Sequence, residues 1–208
     1  MTDLPPAVAV YQLHASLLEI SPAIWCRLRV RSDTTIADLH YIRQIAFDWT
    51  GSHLHRFVIY GKDYGIAQLG DIGFGDNPRL VRLCDLRLHI NSRFRYEYDF
   101  GDLWQHQIRL ERILPLEDTC RYPSCTGGCG AAPPEDCGGP WAFLALKQHY
   151  TPVSLAHQLP AILQNEPDEL DVDGEGHTAL PWCRYVRRTS RVRLAITGTN
   201  GEVKLTSP

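Results

Sequence analysis

The segment from residue 93 to residue 110 constrains the fold most, because apolar and polar side chains alternate on both sides of a short turn. Before the turn at Gly101-Asp102 the apolar set is Phe94, Tyr96, Tyr98 and Phe100, and after it the set is Trp104, His106, Ile108 and Leu110. A period of two places one set of side chains on the buried face of a strand. The segment therefore predicts an antiparallel hairpin with its aromatic residues in the core and Arg93 and Arg95 on the opposite face.

Other periodic stretches surround this hairpin. Residues 11–20 and 24–30 alternate like strands on either side of a Ser21-Pro22 break, and from Thr35 the apolar residues recur at helical spacing, with Thr35 and Asp38 resembling a capping box. The remaining predicted elements are strands at 54–60 and 80–83, loops at 61–79 and 115–140, helices at 141–149 and 154–164, and a hairpin at 192–205. This order predicts an α+β fold: a mixed, mainly antiparallel sheet with a strand-strand-helix-strand opening, β-grasp-like by analogy, and helices packed on one side.

Composition shifts divide the chain into four parts. Residues 1–9 are expected to be a flexible N-terminus, and residues 10–165 the α+β domain. Residues 166–180 are an acidic linker in this interpretation, and residues 181–208 a basic segment that ends in the hairpin.

Charge and apolar pattern exclude several classes of protein. With 21 basic and 24 acidic residues, the net charge is −3 at pH 7, which creates no global attraction to nucleic acid or anionic membrane. Long apolar runs and a signal-peptide pattern are both missing, so a cytoplasmic protein with no membrane partner is expected. The seven cysteines are an odd number, and in a reducing compartment they favour thiols or metal ligands over a disulfide framework.

Four cysteines in a glycine-rich loop are candidate metal ligands. Cys120, Cys125, Cys129 and Cys137 have the spacing C-x4-C-x3-C-x7-C, and His106 or His149 could replace one of them. Structural zinc needs about four ligands, usually as two close pairs, and the second pair here is loose. Zinc is therefore one hypothesis, and reduced thiols in an ordered loop are the alternative that the spacing favours.

A second group of polar residues could carry out catalysis. Histidine and carboxylate side chains together suit a divalent metal that activates water for phosphoester hydrolysis. The candidate catalytic residues are His53, His55, Asp99, Asp102, His106 and Asp136. The alternative is structural, since aspartates serve turns and helix caps and a strand histidine can be a hydrogen-bonded core residue. Any shared site requires the histidine-bearing strand, the hairpin turn and the proline-cysteine segment to be neighbours.

Arginines near the C-terminus are the candidate contacts to nucleic acid. The five are Arg184, Arg187, Arg188, Arg191 and Arg193. Such a cluster can neutralise phosphates. The alternative, which charge patterning favours, is an exposed face that balances the acidic stretch at 166–175.

Several segments taken together resemble a known family. They are Ile24-Trp25-Cys26-Arg27, Ala37-Asp38-Leu39-His40, residues 49–57, the turn from Tyr98 to Asp102 with Trp104 and His106, and residues 133–141. Over about residues 10–165 the chain resembles the Ri-plasmid ORF-three-like family, whose members are also labelled insertion-element passenger TnpR proteins. The resemblance implies a compact α+β domain of bacteria, plasmids and mobile elements with no established biochemical activity.

The chain departs from that family pattern around its candidate sites. Leu103 and Gln105 stand where the family usually has acids, and Ala132 stands where it often has a cysteine. The first difference lowers the carboxylate density at the turn.

Two functions follow as hypotheses. The first is a non-enzymatic binding or accessory module associated with plasmids and mobile elements. The alternative is a metal-dependent hydrolase acting on nucleic acid phosphodiesters, so the sequence leaves open whether the protein is an enzyme.

Overall fold

The alternating stretches form the strands of one seven-stranded sheet in the computed structural model, which describes residues 8–65, 76–149, 194–196 and 203–205. The strands are β1 (Ala9–Leu17), β2 (Trp25–Arg31), β3 (His55–Ile59), β4 (Lys62–Tyr64), β5 (Arg93–Tyr98), β6 (Trp104–Pro115) and β7 (Ser124–Cys129). Their order is β4-β3-β5-β6-β1-β2-β7, and the pairings between neighbours are all antiparallel. The α+β class is confirmed.

The core lies on one face of this sheet. Inward-facing residues such as Leu13, Leu28 and Ile108 are almost inaccessible to solvent. The helices are α1 (Ile36–Phe47) and α2 (Gly139–His149). His40 of α1 contacts Tyr96, and Phe143 of α2 packs against Trp104. Both helices therefore cover the same face, and the other face carries the polar half of each strand pattern.

The start of α1 follows the predicted cap. Thr35 precedes the helix in an extended conformation, and its hydroxyl accepts a hydrogen bond from the Asp38 backbone at 3.0 Å. Such a cap satisfies a backbone donor that the first helical turn leaves unpaired. Ile36, Leu39 and Ile42 then point into the core, as their spacing predicts.

The prediction of a loop over residues 61–79 is wrong at its beginning, where Lys62–Tyr64 forms β4. β4 pairs with β3 across a tight turn in which Ile59 faces Lys62, and both turn residues, Tyr60 and Gly61, have positive φ. This backbone fits the twist of a two-residue hairpin. Tyrosine is an unusual residue at such a position, so the sequence does not display the turn.

Two further assignments need correction. The predicted strand at 80–83 is a single bridge between Arg82 and Thr35, followed by a 3₁₀ turn, Leu83–Leu86, that buries Leu83. The predicted loop at 115–140 contains β7, which pairs with the edge of β2. Backbone hydrogen bonding to β2 forms this strand, although glycines interrupt its pattern.

The C-terminal hairpin is present, since β8 (Leu194–Ile196) pairs with β9 (Val203–Leu205). The predicted helix at 154–164, the acidic linker and the basic cluster lie outside the described residues. Among the described helices, none is long and apolar enough to cross a membrane.

Candidate functional site

Three segments distant in sequence meet at one end of the sheet: residues 49–53, 98–104 and 133–139, together called the rim. The Trp49 indole donates to the Pro133 carbonyl at 2.8 Å, and the Gly138 amide donates to the Asp102 carboxylate at 3.1 Å. The histidine-bearing segment, the hairpin turn and the proline-cysteine segment are therefore neighbours.

Glu135 holds the rim segments together. Its carboxylate accepts hydrogen bonds from the Thr50 amide at 2.8 Å and from the Tyr98 hydroxyl. Burial, and then the hydrogen bond to Glu135, raise the pKa of Tyr98 to about 12. Tyr98 thus stays protonated and remains a donor throughout the neutral range.

Gly139 allows the closest approach inside the rim. Its φ is +79°, and a β-carbon at this position would overlap the Asp102 carbonyl oxygen. Only glycine avoids both the left-handed strain and this overlap.

His53, Asp99 and Asp136 form a cluster with the features of a metal site. Their ligand atoms all lie within 4.8 Å of one another. His53 Nε2 lies 3.1 Å from an Asp136 oxygen and 3.8 Å from an Asp99 oxygen. Across the described parts of the chain, this is the sole group of three or more such ligands.

The hairpin turn orients the Asp99 carboxylate. Its Oδ1 accepts hydrogen bonds from the Gly101 and Asp102 amides at 3.0 and 3.3 Å, as in an Asx turn. Oδ2 is left facing His53. The turn chemistry considered as the structural alternative and a ligand role therefore use different oxygens of one side chain.

Two predicted catalytic histidines lie elsewhere, in the interior. His55 stacks on His40 with ring centroids 3.5 Å apart, and burial lowers the pKa of His55 to about 4 and that of His40 to about 3. His106 is fully buried against Arg43, and burial and then this guanidinium lower its pKa. Both residues are neutral core groups at neutral pH. The Asp102 carboxylate accepts a hydrogen bond from the Gly138 amide and is not part of the three-residue cluster.

Arg43 is a polar interior residue that sequence reasoning missed. It is 1% exposed, donates to the Cys26 sulfur at 2.9 Å and to His106, and lies over the Phe47 ring. Within the described residues it has no ion pair with a carboxylate. The available signal was the spacing of His40, Arg43 and Phe47, which places them on one helix face beside Leu39.

The four candidate zinc ligands are not gathered into one site. A bulge in β7 makes Cys125 pair with Leu28 and Cys129 pair with Trp25, so the two sulfurs lie on opposite faces of the sheet. Cys120 contacts Glu117 in an exposed loop, and Cys137 lies in the rim. The five candidate arginines from 184 to 193 lie outside the described residues.

Comparisons with known proteins identify the family of the chain and cover the residues of the rim. The family described as plasmid pRiA4b ORF-3-like protein matches residues 9–158. An uncharacterized Sinorhizobium fredii protein, y4hQ, is 34% identical over 139 residues, which is 65% of this chain and 70% of the relative.

A solved structure of another protein is similar to this chain in both fold and sequence. The crystal structure of the protein of unknown function MM3350 from Methanosarcina mazei Go1 has a TM-score of 0.64 and 33% identity, over 78% of this chain and 92% of the other. The family match covers most of the chain and includes all three rim segments. The chain belongs to the plasmid pRiA4b ORF-3-like protein family.

Proposed function

We propose that this protein is a binding module in which a divalent cation, held by His53, Asp99 and Asp136, ties the rim together. The observation that carries the proposal is the convergence of one imidazole nitrogen and two carboxylate oxygens from three separate segments. Imidazole with carboxylates suits zinc, manganese or ferrous iron.

The distances support an ion in this position. Ligand atoms bonded to one metal at about 2.1 Å lie roughly 3 to 4 Å apart. The separations of 3.1 and 3.8 Å from His53 Nε2 agree with that range. All three ligand atoms lie within 4.8 Å of one another, so a bound ion would draw the two carboxylates slightly closer together. The His53 Nε2 nitrogen is shielded from solvent and makes no hydrogen bond to the described residues, so a neutral imidazole protonated on Nδ1 would present its Nε2 lone pair to the ion.

The three ligands differ in how firmly the protein fixes them. The Asp99 side chain is 10% exposed and anchored by the turn, whereas the Asp136 side chain is 75% exposed. An ion would therefore join a preformed pair, His53 and Asp99, to the proline-cysteine segment. Its remaining coordination positions would be open to water or to a ligating group of a partner.

Hydrolysis is not part of this proposal. Two of the residues that the hydrolase hypothesis names, His55 and His106, are not part of the three-residue cluster, and burial lowers the pKa of each. No observation favours the hydrolase alternative, whereas a binding role needs only the three ligands.

The test is calorimetric titration of the metal-stripped full chain with Zn²⁺ and with Mn²⁺, together with thermal unfolding. One ion per chain should bind and raise the unfolding temperature, because the ion binds the folded state. His53→Gln and Asp136→Asn should each weaken binding at least about tenfold. The matched control is Asp118→Asn, which removes an exposed carboxylate outside the rim and should leave binding unchanged.

Two results would overturn the proposal. One is metal affinity that persists in the His53→Gln/Asp136→Asn double variant. The other is affinity lost in a Cys125→Ser/Cys129→Ser variant, since the ion would then be bound by thiolates.

A further inference from the structure

The sheet face away from the helices carries an unusual concentration of arginines. Side chains at matching positions on four adjacent strands form a row: Arg27 faces His14, His14 faces Arg109, and Arg109 faces Arg93. With neighbouring strands about 4.8 Å apart, this row spans roughly 14 Å. A second row, offset along the strands, contains Arg29, Gln12 and Arg112.

A shallow depression of about 570 Å³ lies between these rows. Its charged lining consists of Arg27, Arg29, Arg109, Arg112 and Glu111. Four positive charges thus face one carboxylate, on a molecule whose net charge is −3. The local excess of positive charge is opposite in sign to the whole chain, so it favours an anionic ligand at this surface.

The arginines that line the depression differ in whether they pair with a carboxylate. Glu111 forms ion pairs with Arg27 at 2.6 Å and Arg109 at 3.1 Å, and the hydrogen bond from Arg27 lowers the pKa of Glu111 to about 2. Among the described residues, the Arg29 side chain donates one hydrogen bond, to the Gln12 amide oxygen at 3.4 Å, and neither Arg29 nor the exposed Arg112 has an acidic partner. Arg29 and Arg112 are therefore the cations free to bind an external anion.

An aromatic pair lies next to Arg27, one of the residues that line the depression. Trp25 and His14 stack with ring centroids 5.0 Å apart and planes 23° from parallel, and the Arg27 guanidinium lies 5.1 Å from the Trp25 ring. Trp25 is only half-buried. Partly exposed rings beside arginines on an open sheet are the surface on which unpaired bases stack.

We infer that this open sheet face, with Arg29 and Arg112 as phosphate contacts and Trp25 as the stacking residue, binds single-stranded nucleic acid. Phosphates supply the negative charge that the free arginines match, and an unpaired base supplies the ring that Trp25 can accept. A duplex hides its base faces, so it would use the charges alone. This surface is distinct from the rim, and failure of either proposal leaves the other intact.

The experiment is fluorescence anisotropy of the full chain with labelled oligo(dT) and oligo(rU) of about 15 nucleotides and with a duplex of equal length. Charge reversal at the two free arginines, Arg29→Glu/Arg112→Glu, should weaken single-strand binding at least about tenfold. Loss of two phosphate contacts should also reduce the slope of log affinity against log salt by about 1.4. The matched control, Arg79→Glu/Arg87→Glu, has the same charge change on exposed residues beyond this face and should bind nearly normally.

Two more variants separate stacking from charge. Trp25→Leu keeps an apolar side chain but removes the ring, and should weaken single-strand binding about fivefold or more with an unchanged salt slope. Glu111→Gln removes the one carboxylate of the depression and should strengthen binding, an effect that simple loss of structure would not produce. Arg29→Gln/Arg112→Gln replaces the reversed variant if that variant fails to fold.

Four outcomes would overturn the inference. The first is no binding to oligo(dT) or oligo(rU) at about 50 mM salt. The second is an equal loss of affinity in the Arg29→Glu/Arg112→Glu variant and its control. The third is complete loss of binding when Arg184, Arg187, Arg188, Arg191 and Arg193 are all changed to Gln. The fourth is competition by duplex or polyglutamate as strong as competition by oligo(dT), which would leave only a non-specific charge effect.

Discussion

Single residues in the rim have backbone conformations that the site depends on. Asp99, Asp136, Gly138 and Gly139 all have positive φ. In Asp99 this conformation accompanies the turn in which one oxygen accepts backbone amides. In Gly139 it brings two segments into contact. These positions could be identified from sequence as turn formers, but their mutual contacts could not, because Asp102 and Gly139 lie far apart along the chain.

Gly139→Ala should destabilise the protein by about 2 to 4 kcal/mol, because the new methyl group adds overlap with Asp102 to left-handed strain. Gly61→Ala is a matched control, since Gly61 has φ +77° with no atom within 4 Å of the added carbon. Gly61→Ala should lower the free energy of unfolding by only about 1 kcal/mol. Urea unfolding of both variants measures the difference, and equal losses would contradict the close approach at Gly139.

Some helices and strands can be predicted from sequence patterns, and others cannot. The hairpin of β5 and β6 and the capped start of α1 could be predicted, because regular alternation and a local cap specify them. β4 and β7 could not, since Tyr60-Gly61 is an uncommon turn and the glycines of β7 conceal its strand character. The bulge in β7 also separates Cys125 from Cys129, which spacing alone could not reveal.

Where α1 packs on the sheet, buried neutral histidines predict acid sensitivity. The pKa of His55 is about 4 in the folded protein, against about 6.5 when unfolded. Below pH 6.5 the unfolded chain binds the additional proton, so stability is complete above that pH and falls as the pH drops towards 4. His55 alone should account for about 3 kcal/mol of this loss. His40 should extend the loss to lower pH, because its pKa is about 3.

Unfolding free energies measured by urea between pH 7 and pH 4.5 test this expectation. His55→Phe should flatten the pH dependence, because it removes one of the groups that titrates only on unfolding. His89→Gln, which changes an exposed histidine, should leave the dependence unchanged. An equally steep dependence in His55→Phe would contradict the buried neutral state of His55.

At the scale of the whole molecule, one face of the sheet forms the core and one end forms the rim. The α+β class and the family follow from the sequence, because strand alternation and the quoted segments are local features. Six candidate catalytic residues were predicted as one set, and the fold divides them: three converge, two are buried and Asp102 supports the rim. This division depends on strand order and helix packing, and neither can be deduced from local sequence patterns.

The central claim is that a divalent cation joins the three rim segments. Crystals grown with Mn²⁺ or Zn²⁺, measured at the absorption edge of the metal, test it most directly. If the ion is bound there, one anomalous peak should lie within about 2.3 Å of His53 Nε2, Asp99 Oδ2 and an Asp136 oxygen. An empty rim in a metal-loaded crystal, or a peak at Cys125 or Cys129 in its place, would contradict it.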